Sequence, residues 1–380
     1  MSINVFVPKF HTDEILSGMR ECLEKGWTGL GFKTVEFEKK WIEYTGLKHA
    51  HFLTSNSVGL HLAVHILKKR YGWHDGDEII TTPITFVSTN HAILYENLKP
   101  VFADVDDYLC LDPNSVMQKI TSKTRAIMFV GIGGNTGQYE KIVDICRSRN
   151  LRLILDAAHM SGTTLKGVTP GNDSDVVVYS YQAVKNLPTA DSGMICFPDE
   201  ELDTLARKLT WLGISKDTYQ RFNRKENSYK WKYDVEDVGF KYHGNSIQAA
   251  IGLVQLKYLE EDNRRRREIS SLYDRLLSDV QGVEVVKIAP DCVSSRHLYQ
   301  ICVNRRDEII QHFYDHEIYP GVHYIDNIEY KMYSYAEGTC PRARVKSNTL
   351  ITLPIHLNLT DEDVNKVVDV LKIGINKFSK

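Results

Sequence analysis

The stretch Val176-Val-Val-Tyr-Ser180-Tyr-Gln-Ala-Val-Lys185-Asn-Leu-Pro-Thr-Ala-Asp-Ser-Gly-Met194-Ile-Cys-Phe197 holds two apolar, β-rich runs with a short polar loop between them. Parallel strands are usually joined by a crossover helix, and this loop carries no helical pattern, so it predicts one antiparallel strand in the sheet. The loop also places a lone lysine at the mouth of a buried strand. An ammonium there needs a chemical reason, because burying a charge without a partner is costly.

Upstream of the loop, β-rich runs at 51–54, 78–81, 99–102, 126–130 and 152–156 alternate with helical patterns at 58–70, 89–97 and 139–149. That alternation is the mark of parallel strands joined by crossover helices. With 176–179 and 194–197 it predicts an α/β fold with a mostly parallel seven-stranded sheet flanked by helices. Downstream, 199–236 is polar, and Arg221-Phe-Asn-Arg-Lys-Glu-Asn-Ser-Tyr-Lys-Trp-Lys-Tyr233 reads as a long excursion without a clear period. A helix at 247–277 follows, whose run Arg264-Arg-Arg-Arg267 reads as a solvated face. Strands at 283–288, 298–303 and 349–353, with helices at 308–316 and 360–371, predict a smaller α+β domain. The domain boundaries are accordingly 1–245 and 246–380. Thr360-Asp-Glu-Asp363 fits a capping-box variant at the last helix.

A chain of 380 residues has ample core for an enzyme. Its 47 basic and 49 acidic residues give a formal net charge of -2, without the basic excess that nucleic-acid binding requires. Seven cysteines at 22, 110, 146, 196, 292, 302 and 340 form no CxxC pair and read as reduced thiols. The N-terminus MSINVFVPKFHTDE lacks a basic segment followed by an apolar one, and no run has membrane-spanning length. The sequence therefore reads as cytoplasmic, with no membrane partner.

Strand 126–130, the loop Gly131-Ile-Gly-Gly-Asn-Thr-Gly137, a helix and Asp156, about 20 residues on, mimic a dinucleotide fingerprint. The loop reads GxGGxTG rather than GxGxxG, however, and comes late in the chain, which weighs against a nicotinamide oxidoreductase. Asp156 heads Asp156-Ala-Ala-His159 at the C-terminal mouth of its strand, where open α/β sheets bind ligands. It serves equally well as a helix N-cap. Lys185 at a nearby strand end sharpens the reading: a desolvated lysine is a nucleophile for carbonyl chemistry. Pyridoxal 5'-phosphate explains both charges, since its ring nitrogen must keep a proton that a buried carboxylate stabilises. Thr54-Ser55-Asn56-Ser57-Val58 supplies hydroxyls and helix N–H groups for the phosphate, Ser180 another hydroxyl, and Phe86 an apolar face, although each also has a purely structural reading. His61 and His65 lie four apart without the HExxH glutamate, and Asp104-Val-Asp-Asp107 reads as an acidic turn, so no metal site is expected.

These residues resemble the DegT/DnrJ/EryC1 (StrS) sugar aminotransferases of the fold-type I aminotransferase superfamily. The resemblance covers nearly the whole chain and rests on an ordered set: Val7-Pro-Lys9, Gly26-Trp-Thr-Gly-Leu-Gly31, Phe37-Glu38, Thr54-Ser-Asn-Ser-Val-Gly-Leu-His-Leu-Ala63, Gly76-Asp-Glu78, Thr85-Phe-Val-Ser-Thr89, Pro100-Val-Phe-Ala-Asp104, Asp156-Ala-Ala-His159, Ser180 to Asn186, Ile247-Gln-Ala-Ala-Ile-Gly252 and Leu353-Pro-Ile-His356. It implies that Lys185 carries pyridoxal phosphate as a Schiff base, Asp156 pairs with the ring nitrogen, His159 lies by the ring hydroxyl and Phe86 stacks on the ring. It places Ser57, Val58 and Ser180 at the phosphate and His323 of Gly321-Val-His-Tyr324 in a substrate loop.

The implied reaction moves an amino group from L-glutamate to a keto- or aldehydo-sugar, first of all a nucleotide-linked one, for an amino sugar of lipopolysaccharide or another surface glycan. An 8-oxo-octulosonate sugar acid is the alternative acceptor. The family's phosphate-binding Asn from the neighbouring subunit has Lys241 of Gly239-Phe-Lys-Tyr-His243 in its place here, so a homodimer with shared sites is expected. Two further departures, Gly131-Ile-Gly-Gly134 for His-Leu-Tyr-Gly and Thr189-Ala-Asp-Ser-Gly193 for Thr-Gly-Glu-Gly-Gly, are expected near the substrate. A sugar dehydratase on this scaffold would carry histidine in place of Lys185. A non-catalytic regulator would lack the bound cofactor's visible absorption.

Overall fold

A computed structural model describes residues 2–215 and 233–378, so most of the aromatic excursion from Arg221 lies outside the described residues. Seven strands form the central sheet in the spatial order His49–Leu53, Gly193–Phe197, Val176–Ser180, Arg152–Asp156, Thr124–Val130, Glu78–Thr81, Lys99–Phe102. Gly193–Phe197 runs against both neighbours, as the loop predicts, and every other pairing is parallel.

The strands are apolar on both faces because helices cover both. Successive residues alternate between two cores: Ile154, Val176, Val178 and Ile195 join one, while Leu153, Leu155, Val177, Tyr179 and Cys196 join the other. The first core is closed by the helix Asn56–Tyr71, whose Leu60, Ala63, Val64 and Leu67 are fully buried. Asp156 and Ser180 share the parity of Ile154 and Val178, so the sheet's period of two presents them on this helix's side.

The helix Glu200–Thr210 corrects the reading of 199–236 as an excursion from its start. Leu202, Ala206 and Leu209 sit at i, i+4 and i+7 and enter the core, while Asp203 is buried beside them and pairs with Arg207, which also reaches Glu38. Thr12–Glu24 and Phe32–Thr45 are helices as well, and both pack on the 32-residue helix Ser246–Leu277. That long helix joins two cores. Its Leu259 belongs with Phe37 and Trp41, and its Ile269, Tyr273 and Leu277 belong with the three-stranded antiparallel sheet Val283–Val285, Tyr299–Val303, Leu350–Leu353. The strand Ile3–Asn4 pairs with Ile318–Tyr319, and Ile3 packs in the same C-terminal core.

The arginine run is not a uniform solvated face. Arg266 is 5% exposed and donates to the Ile355 carbonyl at 3.0 Å, because position 266 falls on the buried stripe with Asn263 and Ile269. Thr360 and Asp363 exchange hydrogen bonds at 3.1 Å in both directions, completing the capping box. His61 and His65 both bond the Glu96 carboxylate, at 2.7 and 3.0 Å. No helix of the described residues is long and apolar enough to cross a membrane.

Gly193 couples fold to site. A Cβ there would lie 2.7 Å from Asn56 N and Ser55 C and 2.8 Å from Tyr179 O, all backbone that cannot swing aside. Gly193→Ala is expected to cost about 1–3 kcal/mol, whereas Gly29→Ala, which opens into free space, should stay within roughly 0.5 kcal/mol. Urea unfolding of the two variants checks both.

Candidate active site

At the C-terminal ends of Arg152–Asp156 and Val176–Ser180 lies a cavity of about 420 Å³. It gathers Ser57, Phe86, Asp156, His159, Ser180, Lys185 and His323 from seven separate positions in the sequence. The lysine loop is a pinned hairpin. Tyr181 N donates to Ser192 O at 2.8 Å, Thr189 N and Oγ1 both donate to Tyr181 O, and Thr189 Oγ1 meets Ser192 Oγ at 2.7 Å. The loop chemistry Thr189-Ala-Asp-Ser192 thus fixes where Lys185 points and brings Asp191 to the cavity wall.

Lys185 is half-buried, and the protein around it pulls its amine down to about 8, with the charge of Asp156 acting in the opposite direction. Asp156 is fully enclosed. Burial raises its pKa, and donors oppose that rise: Thr89 Oγ1 at 2.8 Å on Oδ2, and Ala158 N at 3.1 Å with Asn56 Nδ2 at 3.4 Å on Oδ1. Thr89 is itself backed by Thr85 at 2.8 Å.

Gly133 N donates to His159 Nδ1 at 3.1 Å, which leaves the proton on Nε2, 3.2 Å from the Tyr324 hydroxyl. Burial, then Lys185 and His323, hold His159 well below the usual imidazole range, so the ring is neutral. The loop Gly131–Gly134 therefore steadies His159 from behind rather than lining the cavity. His323 bonds Thr352 Oγ1 at 3.0 Å and is lowered to about 4 by burial and by Lys185.

At the other end, Ser55 caps the 16-residue helix Asn56–Tyr71, accepting from Val58 N at 3.3 Å, and Ser57 faces the cavity. Val58 itself does not line it. Phe86 is 58% exposed at the mouth, its ring 6.1 Å from that of Tyr324. Lys241 stands away from its own chain's cavity, its Nζ 3.2 Å above the Trp211 ring. The wall residues Phe6, His297 and Tyr324 were not singled out from the sequence. Tyr324 lay one residue beyond a histidine that was, whereas Phe6 and His297 carried no local signal.

The sequence profile of the DegT/DnrJ/EryC1/StrS aminotransferase family matches residues 10–372. The chain belongs to that family. It is 34% identical over 375 residues to the dTDP-4-dehydro-2,3,6-trideoxy-D-glucose 4-aminotransferase of Saccharopolyspora spinosa, covering 97% of this chain and 95% of that one. Among solved structures, aminotransferase TlmJ from Streptoalloteichus hindustanus superposes with a TM-score of 0.91 at 32% identity, covering 99% of this chain and 100% of that one. A putative sugar aminotransferase from Streptococcus pneumoniae in its PLP-form superposes with a TM-score of 0.90 at 26% identity, covering 99% of each chain.

This aminotransferase is pyridoxal-phosphate dependent, as its family is. The residues fit the cofactor. A buried carboxylate whose charge burial disfavours suits a cationic ring N–H, an uncovered phenyl face flanks the cavity, and hydroxyls meet a helix N-terminus that suits a phosphate.

As the expected Schiff-base lysine, Lys185 would take up pyridoxal phosphate in cofactor-stripped protein only as the neutral amine. The rate of uptake should therefore rise with pH through a midpoint near 8. Since Asp156 props that value up, Asp156→Asn should move the midpoint to lower pH. Stopped-flow absorbance against pH reads both, and a wild-type midpoint in the ordinary lysine range, about 10.4, would contradict the assignment.

Proposed function

We propose that this enzyme carries an amino group from L-glutamate to a keto- or aldehydo-sugar, with a nucleotide-linked keto-sugar as first choice, in the making of an amino sugar for lipopolysaccharide or another surface glycan. The observation that carries this reading is the meeting of a lysine lowered to about 8 and an enclosed carboxylate in one cavity beside an exposed aromatic ring.

The bound cofactor supplies an aldehyde carbon that takes up the amine and a ring that accepts electrons. The protein's residues do the rest. Asp156 would accept the ring N–H, and its three donors favour the carboxylate in a place where burial opposes charge. Lys185 Nζ holds the cofactor between turnovers and then moves the proton off the substrate carbon as a general base. His159, neutral and protonated on Nε2, stands by the ring hydroxyl as a hydrogen-bond donor. Phe86 covers one face of the ring. Ser57, Val58 at the capped turn and Ser180 serve the phosphate, and His323 the substrate.

Both proposed substrates carry anionic groups, yet Lys185 is the one cation among the described residues of the cavity wall, where Asp191 adds a further negative charge. That shortage supports a homodimer in which Lys241, turned away from its own cavity, serves the partner's. The division into a cofactor domain, 1–245, and a C-terminal domain, 246–380, is proposed with one amendment: the first strand packs on the C-terminal side.

The test is the visible spectrum of the purified protein. L-glutamate should bleach the cofactor band in the wild type, and a keto-sugar should restore it. Lys185→Ala should slow amine transfer by roughly 10²–10⁴-fold, the usual contribution of a positioned base. Full-speed transfer by that variant would refute the role.

A further inference from the structure

Behind the cavity wall a chain of side-chain amides runs from Lys185's neighbour to the long helix. Asn186 Nδ2 donates to the Ser295 carbonyl at 2.7 Å and to Asn263 Oδ1 at 2.6 Å, and Asn263 Nδ2 donates to the Ser161 carbonyl at 2.9 Å. A backbone carbonyl only accepts, so each one fixes which way its asparagine faces. Asn186 Oδ1 is consequently an acceptor, and the His297 Nδ1 lying 3.0 Å from it must carry the proton. Burial holds His297 well below the usual imidazole range, so the ring is neutral and its other nitrogen, Nε2, is a bare lone pair.

The relay is enclosed: Asn263 is 0%, His297 1% and Asn186 5% exposed. Packing also leaves it no slack. A Cβ on Gly162, whose φ is +88°, would fall 2.2 Å from Asn263 Nδ2. The imidazole of His297 is held flat against Phe6, with ring centroids 5.3 Å apart and planes 7° from parallel. Its ring lies 4.4 Å from that of His159, in the same cavity wall. The two neutral histidines have opposite tautomers: His159 offers an N–H, and His297 offers a lone pair.

We propose that His297 is a specificity-determining residue whose Nε2, fixed as an acceptor by the Asn186–Asn263 relay, takes a hydrogen bond from a hydroxyl near the carbonyl of the amine acceptor. This rests on the sugar-aminotransferase reading and narrows it to hydroxylated acceptors. A buried lone pair left without a donor costs free energy, so a carbonyl compound lacking the hydroxyl is penalised at this site. Asn186 and Asn263 act through His297 as positioning residues.

The experiment starts from cofactor-stripped protein loaded with pyridoxamine phosphate, so that it does not depend on glutamate as donor. Return of the pyridoxal-form absorbance is then followed with D-glyceraldehyde and with propanal. The wild type should favour D-glyceraldehyde by about 10-fold or more in kcat/KM, and His297→Phe, which keeps the ring volume but removes the lone pair, should lose that preference while retaining its cofactor band. Equal use of both aldehydes by the wild type, or an undiminished preference in the variant, overturns the proposal. The ¹⁵N spectrum of histidine-labelled wild-type holoenzyme decides independently of any variant's folding: His297 should show a protonated Nδ1 and a bare Nε2, and a protonated Nε2 overturns the assignment. Failure of the amine-transfer reading would appear elsewhere, as a wild-type spectrum unmoved by L-glutamate.

Discussion

Two opposite charges are enclosed at the ends of adjacent strands, and the rest of the site follows from keeping them there. Asp156 and Lys185 feel one another's charge, yet each is dominated by burial, which pushes the acid up and the amine down. Neither shift is tolerable without compensation, since desolvation of an unpaired charge costs several kcal/mol. The compensation for Asp156 is a set of fixed dipoles, the Thr89 hydroxyl, the Ala158 N–H and the Asn56 amide, that arrive from three different elements. For Lys185 it is a hairpin tied by Thr189 and Ser192, which holds the amine in place while its proton is only loosely held. An amine lowered toward neutral pH and a carboxylate braced by fixed donors are what carbonyl chemistry on an electron-accepting ring requires.

The sheet makes that arrangement inexpensive. Strands buried on both faces send every second residue to the same side, so Asp156 and Ser180 meet the N-terminus of the helix Asn56–Tyr71 without special loops. Gly193 completes the contact, because the antiparallel strand it opens lies flush against the Ser55–Asn56 backbone. The antiparallel step is therefore more than topology. It converts the connection after Ser180 from a long crossover into a short hairpin, which is the geometry that returns Lys185 to the mouth of the sheet.

Much of this was legible in the sequence, for reasons that also explain the gaps. The strands and crossover helices announce themselves through apolar runs, and the chemistry residues sit at strand ends, where local order predicts spatial neighbourhood. Glu200–Thr210 was illegible because its three buried apolar residues are diluted among charges, although their i, i+4, i+7 spacing was there to be read. Arg266 was misread because a run of like charge hides which member falls on the inward stripe. His297 and Phe6 could not have been found by local pattern. They reach the cavity only through the packing of the C-terminal sheet and the first strand against the lysine loop, and that is a tertiary fact.

The division of labour within the cavity follows the same line. Asp156, Ser180 and Lys185 sit at or just beyond the ends of the large sheet, whose register is overdetermined by two cores, so their positions can vary little without disturbing it. His297, His323 and Tyr324 come from segments after the long helix, fixed by amide and hydroxyl contacts rather than by sheet register. Such contacts can be changed one side chain at a time. The departures at Gly131–Gly134 bear this out physically: Gly133 sets the His159 tautomer, and a Cβ on Gly134 would fall 2.2 Å from Ser295 Oγ, in the segment that carries His297. A change in that loop alters the surroundings of His159 and of the Ser295 segment without touching the lysine or the acid. Chemistry and recognition are thus built from parts of the chain with different tolerance for change, which is how one scaffold serves many acceptors.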